Sequence, residues 1–374
     1  MMVVRKRGLG FVFLFVLHSF ISNAQDEFDR YVSDRMNRDS IPGATLLIAN
    51  GDKILKEKGY GYANLEHKVP AKVETEYELA SLSKPITATA VMLLVEEGKL
   101  FLDSSISIYL DAVPTAFRPI TLRQLMSHSS GLPMDHFAYS KLYGPSALRY
   151  TVKEQLADLF KLKLLFAPGT DYNYSNAGFF LQAAIIEKVT GEPFQDFVRR
   201  RIFEKAGMHN SSFINGDSIV ANRSQGYTRR KGQWVRFSLE GTIQAIDANG
   251  FGGIIATAED EMKFCKALSS GKILRKESFE KMITPTLLKN GSPVDPPGRA
   301  GIGLGWFTRD YEGKRCLSHS GHTGTQVIYF PDQNFSVILF TNLTQGYTIL
   351  GDRGFRVADA AFALADMAIA KWLK

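Results

Sequence analysis

Cysteine is scarce. The 374 residues hold two, Cys265 and Cys316, too few for a disulfide scaffold. One bridge between them and two buried thiols both remain open. The chain has no Cys-x-x-Cys, no His-Glu-x-x-His, no Walker loop and no Gly-x-Ser-x-Gly elbow, so the chemistries carried by those patterns are set aside. The seven histidines, at 18, 67, 128, 136, 209, 319 and 322, do not fall at metal-ligand spacing. His128 and His136 read as hydrogen-bonded loop residues, and neither a metal nor a cofactor is expected. No apolar run reaches the roughly 20 residues of a bilayer span. The net charge is only +7, with no basic helix, finger spacing or basic–aromatic stripe, so no nucleic-acid partner is expected. With 45% apolar and 22% charged residues, disorder is excluded as the dominant state.

What is present begins with a leader. Arg5-Lys6-Arg7, an apolar run over residues 9–21 and Ser22-Asn23-Ala24 make a secretory signal pattern, with a signal anchor as the alternative. Cleavage near Ala24 would leave a chain of net charge +4 in a secreted or periplasmic location, with no stable membrane anchor. Beyond it, residues 44–49 and 53–60 read as strands joined by Asn50-Gly51, a strong hairpin signal. Helices are expected over residues 81–97, 151–164 and 177–190, the last stopped by Gly191. Residues 303–308, 325–330 and 335–341 read as strands, and 357–373 as a closing helix. Isolated hairpins are only marginally stable, so the early and late strands are expected to share one antiparallel sheet. The fold class is therefore α/β (α+β). After the leader at 1–24, a discontinuous sheet domain is expected from 25–84 and 300–374. A large, mainly helical inserted domain is expected over 85–299.

Ser-x-x-Lys occurs three times: Ser81/Lys84, Ser269/Lys272 and Ser278/Lys281. Only the first opens a long apolar helix, with Lys84 one turn on and on the same face. Pro85 is tolerated in that first turn. A serine oxygen there sits in the positive end of the helix dipole, which favours a developing oxyanion. The same residues also read as an ordinary N-cap followed by a solvated lysine. Tyr-x-Asn occurs as Tyr62/Asn64 and Tyr174/Asn176, and His-x-Gly as His319/Gly321 and His322/Gly324. The two His-x-Gly copies are placed where a late strand begins.

Ser81-x-x-Lys84, Tyr174-Ser175-Asn176 and His319-Ser320-Gly321, in that order, resemble the motifs of the serine β-lactamase and D,D-peptidase superfamily. The likeness is to its class C β-lactamase-related branch of serine hydrolases. It extends to residues 122–133, to 166–170 leading into 174–178, to 249–253 followed by 257–260, and to 319–325 with Pro331-Asp332 and Thr341-Asn342. The resemblance implies Ser81 as nucleophile, Lys84 and Tyr174 as the base pair, and Asn176 orienting the substrate. It also implies an oxyanion hole from the backbone N–H groups of Ser81 and His322. From the residues alone, a serine hydroxyl needs a base in reach, and a desolvated lysine can lose its proton or hold a phenolate. Which of the two is the base stays open.

One departure bears on substrate. Classical class C β-lactamases carry Lys-Thr-Gly where this chain has His319-Ser320-Gly321, exchanging a fixed cation for a mostly neutral imidazole. His-x-Gly resembles the carboxypeptidase, aminopeptidase and esterase members of the branch. His319, Ser320, Gly321 and His322 are expected to bind substrate, although His322 reads equally as a packing residue. The expectation is a secreted, cofactor-free serine hydrolase acting on D-amino-acid peptides or small esters, with β-lactams as substrates or inhibitors. A true β-lactamase and a non-catalytic penicillin-binding or sensor protein are the alternatives.

Overall fold

The apolar run Leu46-Leu47-Ile48 lies in a strand with no exposed face until its last residue, as expected of a strand covered on both sides. The computed structural model describes residues 26–135, 150–214, 219–238, 249–298, 301–344 and 356–373. The expected leader and His136 lie outside these. Strands β1 (Gly43–Asn50), β2 (Lys53–Asn64), β3 (Val69–Pro70), β4 (Gly301–Ile302), β5 (Phe307–Tyr311), β6 (Lys314–Gly321), β7 (Thr325–Phe330) and β8 (Phe335–Thr341) form one antiparallel sheet. Its order is β3-β2-β1-β8-β7-β6-β5-β4. The early hairpin and the late strands therefore join through β1 and β8, with Leu47 opposite Ile338.

Period-two alternation divides the sheet into two apolar faces. Leu46, Ile48, Ile328, Val337 and Leu339 pack on Phe28 and Val32 of α1 (Glu27–Asp39) and on Ala361 and Leu364 of the terminal helix Val357–Trp372. Leu47, Val327, Tyr329, Ile338 and Phe340 face the larger cluster, which includes α2 (Ser83–Glu96), α3 (Leu122–Met126), α4 (Asn176–Thr190) and α5 (Ala258–Ser269). Every residue of α2 from Ser83 to Leu94 is buried, so the helix runs through the core rather than along its surface. The two cysteines are free thiols in separate clusters on opposite faces of the sheet.

Three expectations need correction. The helix expected over 151–164 stops at Leu159, because the chain turns so that Leu165 N–H meets the carbonyl of Gly131 at 2.8 Å. The strand expected over 303–308 is interrupted. Gly305 takes φ +85°, and a Cβ there would come within 2.6 Å of Ala88 Cβ, so the chain turns sharply between β4 and β5. His319 and Gly321 end a strand, β6, rather than begin one; His322 lies in the turn that follows.

Candidate active site

Ser81 lies in the single turn Ala80–Leu82 that precedes α2. Ala80 holds φ +48°, a strained value for a residue with a Cβ. Its neighbours fix the turn: Leu79 N–H donates to Ile254 O at 2.8 Å, and Thr325 Oγ1 donates to Leu79 O at 3.0 Å. Leu82, not Ser81, occupies the N-cap position of α2, and it makes no side-chain capping bond. The Ser81 hydroxyl instead accepts from Lys84 Nζ at 3.0 Å, which sets aside the capping alternative.

Lys84 is fully buried. Its second donor bond goes to Phe251 O at 3.0 Å, and its amine lies 4.9 Å from the Tyr174 ring centroid. Burial drives its pKa well below 10.5, with the Asp135 carboxylate opposing the shift. The amine is thus held towards the neutral form a base requires. The other Ser-x-x-Lys copies differ: Lys272 and Lys281 are exposed, and the Ser269 hydroxyl is bonded to that of Tyr329. Tyr62, of the alternative Tyr-x-Asn, is 42% exposed on β2.

The second motif enters from α4. Ser175 caps that helix by accepting from Gly178 N–H at 3.1 Å, and it donates to Pro133 O at 2.7 Å. His128, buried with φ +58°, accepts from Ser175 N–H at 3.0 Å through Nδ1. Its ring stacks at a tilt on Tyr174, centroids 4.3 Å apart. It is a structural support, as the loop reading anticipated. Asn176 Nδ2 donates to Asp135 Oδ1 at 2.8 Å, while Asn176 Oδ1 is shielded from solvent and has no hydrogen-bond partner.

The third motif runs beside the nucleophile turn. A Cβ on Gly321 would collide with the carbonyl oxygen of Leu79, so glycine is what lets β6 approach Ser81. Alternation puts His319 on the same face as Gly321, and Ser320 on the other. The His319 ring is buried against Phe307, centroids 5.0 Å apart, with Nδ1 donating to Ser320 O at 3.0 Å. His322 stands edge-on to Phe237 at 5.7 Å. Partial burial lowers its pKa below the usual histidine value; because the ring still reaches solvent, that desolvation is incomplete.

Two participants carried no motif signal of their own. One is the Phe251 carbonyl, brought to Lys84 by the Gly-rich turn, where Thr87 Oγ1 also donates to Gly250 O at 2.7 Å. The other is Asp135. Among the described residues, no group of three or more His, Cys, Asp or Glu could hold a metal ion.

The family model described as Beta-lactamase matches residues 28–362. The chain is similar to Penicillin-binding protein 4* of Bacillus subtilis (strain 168), 31% identical over 314 residues, covering 80% of this chain and 67% of that protein. It spans about two thirds of the length of the curated relatives it matches. Among solved structures it resembles the octameric penicillin-binding protein homologue from Pyrococcus abyssi. The TM-score is 0.77 at 26% identity, over 92% of this chain and 77% of that one. EstCE1, a hydrolase with promiscuous acyltransferase activity, gives a TM-score of 0.71 at 25% identity, over 90% of this chain and 97% of that one.

Proposed function

The chain belongs to the beta-lactamase family of serine hydrolases, and from that premise we propose that it cleaves amide or ester bonds through an acyl-enzyme on Ser81. The substrates proposed are D-amino-acid peptides and small esters, with β-lactams as substrates or inhibitors. The observation that carries this reading is the buried Lys84 amine, 3.0 Å from Ser81 Oγ and beside the Tyr174 ring. The similarity to a penicillin-binding protein and to an acyl-transferring hydrolase supports the same chemistry.

In this mechanism Ser81 Oγ adds to the substrate carbonyl carbon while its proton passes to the Lys84–Tyr174 pair. The backbone N–H groups of Ser81 and His322 hold the oxyanion. Collapse breaks the C–N or C–O bond, and the pair returns the proton to the leaving amine or alcohol. Water then attacks the acyl-enzyme, giving its proton to the same pair, and the acid leaves as Ser81 is restored. Residues 1–24 are proposed to export the protein. No helix among the described residues is long and apolar enough to cross a membrane.

A fluorophosphonate probe tests the assignment. Intact mass should rise by one adduct, mapping to Ser81. An adduct on Ser269 or Ser278, or hydrolysis without any adduct, overturns it.

A further inference from the structure

Glu78 lies three residues before Ser81, on the short strand Tyr77–Glu78 that pairs with Ile254–Ala256. It belongs to none of the three motifs, and it is 7% exposed. A carboxylate so buried needs hydrogen-bond partners and a counter-charge. Glu78 Oε1 accepts from Arg223 Nη2 at 2.6 Å and from Ser238 Oγ at 2.8 Å. The Arg223 end of this bridge is fixed by backbone: Glu76 N–H donates to Asn222 O at 3.1 Å, and Ser224 N–H to Glu76 O at 2.8 Å. The Ser238 end follows a hairpin made of Gly226–Arg230 and Gln233–Phe237. The Glu78 side chain therefore ties the base of that hairpin to the chain leading into the nucleophile turn.

The hairpin ends on the third motif. Phe237, next to Ser238, is the residue that stands edge-on to the His322 ring. The Glu78 carbonyl holds the same turn directly, accepting from Thr323 Oγ1. Gly324 N–H closes that turn on Gly321 O at 3.1 Å, with His322 and Thr323 at its centre. His322 is thus gripped twice, through its ring by Phe237 and through its neighbour Thr323, and both grips lead back to Glu78. The proposed oxyanion donors are the backbone N–H groups of Ser81 and His322. They act together only when both stand about 2.7–3.1 Å from one developing oxygen. Ser81 belongs to the chain that Glu78 leads into, and His322 to the turn that Glu78 grips.

We infer that Glu78 is the positioning residue of the oxyanion hole, its carboxylate acting through Ser238 and Phe237, and its carbonyl through Thr323, to set the His322 N–H against that of Ser81. This rests on the proposed acyl-enzyme chemistry and adds what aligns it. Glu78 touches neither substrate nor the reacting atoms. Arg223 supplies the counter-charge that keeps the buried carboxylate in place.

The test compares p-nitrophenyl acetate with the matching thionoacetate, whose C=S sulfur accepts hydrogen bonds poorly and so gains little from oxyanion donors. The oxygen-to-sulfur ratio of kcat/KM, divided by the same ratio for the uncatalysed reactions, reads oxyanion stabilisation apart from other losses. Glu78→Ala removes the acceptor shared by Arg223 and Ser238. It should lower kcat/KM for the oxygen ester, and the ratio with it, by about tenfold or more, a share of the roughly 10²–10³ that one oxyanion donor is worth. Glu78→Gln keeps an acceptor oxygen and should restore most of both. Should Glu78→Ala not fold with Arg223 left unpaired, Ser238→Ala decides. It releases the hairpin base without burying a charge, and should lower the same ratio by about threefold. Activity lost at an unchanged ratio makes Glu78 a structural residue only, and activity kept in Glu78→Ala leaves it nothing to position; either overturns the inference. Fluorophosphonate labelling of the same preparations separates the failures. Labelled Ser81 with a ratio unmoved by the variants defeats the positioning role alone, and unlabelled wild-type Ser81 defeats the hydrolase reading.

Discussion

Lys84→Met tests the core of the site, because methionine keeps the length and apolar stem and removes only the amine. Two donor bonds go with it, each 3.0 Å long, to Ser81 Oγ and Phe251 O. Loss of general-base assistance should lower kcat by about 10²–10⁴, or about 3–5 kcal/mol on the barrier. Stability gives an independent check. The native amine is held towards neutrality well below 10.5, whereas in the unfolded chain it titrates normally. Between the lowered native pKa and 10.5 the unfolded chain binds the extra proton, so wild-type stability must climb with pH across that window. The variant lacks this contribution. It has a different cost, loss of the bond from Lys84 Nζ to the Phe251 carbonyl, worth about 0.5–1.5 kcal/mol. Urea unfolding at about pH 7 and about pH 9 should therefore show wild type gaining stability relative to Lys84→Met as pH rises. Parallel pH dependence would mean a charged native Lys84 and would refute a neutral Lys84 as the base, leaving Tyr174 as the proton acceptor of the pair.

Much of the fold could be read from residue order because apolar pattern and turn chemistry agree along the chain. Leu46-Leu47-Ile48 and residues 335–341 are apolar enough to mark strands buried on both faces, and they pair directly. Asn176–Thr190 ends where Gly191 takes φ +73°, as its sequence required. Strand β6 escaped notice because Lys314-Arg315-Cys316-Leu317-Ser318-His319-Ser320-Gly321 has few strand-forming residues. It is held by partners on both sides, β5 and β7. Residues 303–308 misled in the opposite sense: Leu304, Trp306 and Thr308 alternate like a strand, yet the conformation of Gly305 depends on how closely Ala88 approaches.

The site divides along the same line. Ser81, Lys84 and Tyr174 announce themselves by residue type and order, and the structure brings all three together around one buried amine. Phe251 contributes a backbone carbonyl, a group every residue carries, so side-chain patterns are silent about it. Its only trace is the glycine-rich run around it, needed because a Cβ on Gly250 would strike the Phe179 carbonyl. Asp135 stands outside every motif and matters through where Asn176 points its amide. Sequence reports which side chains are present; the direction of an amide and the burial of an amine are tertiary facts.

Two further outcomes follow from the same geometry. Tyr174→Phe should cost about 10²–10⁴ in kcat, and the double variant with Lys84→Met should lose little more than either alone, since residues acting as one unit are non-additive. Independent multiplicative losses in single-turnover acylation would argue against a shared base. Gly321→Ala probes the third motif through packing alone. The added methyl group must meet the Leu79 carbonyl oxygen and Thr325 Oγ1. One of these neighbours is backbone and cannot rotate away, so β6 must move back from the nucleophile turn. Overpacking of this kind costs about 1–3 kcal/mol in unfolding free energy. The displacement falls on Leu79, which also accepts from Thr325 Oγ1 at 3.0 Å and lies two residues before Ser81. Acylation of Ser81 should therefore slow by more than the folded fraction explains, measured as adduct formed per folded molecule. If Gly321→Ala retained both wild-type stability and wild-type acylation rate, β6 would not be what sets the position of Ser81.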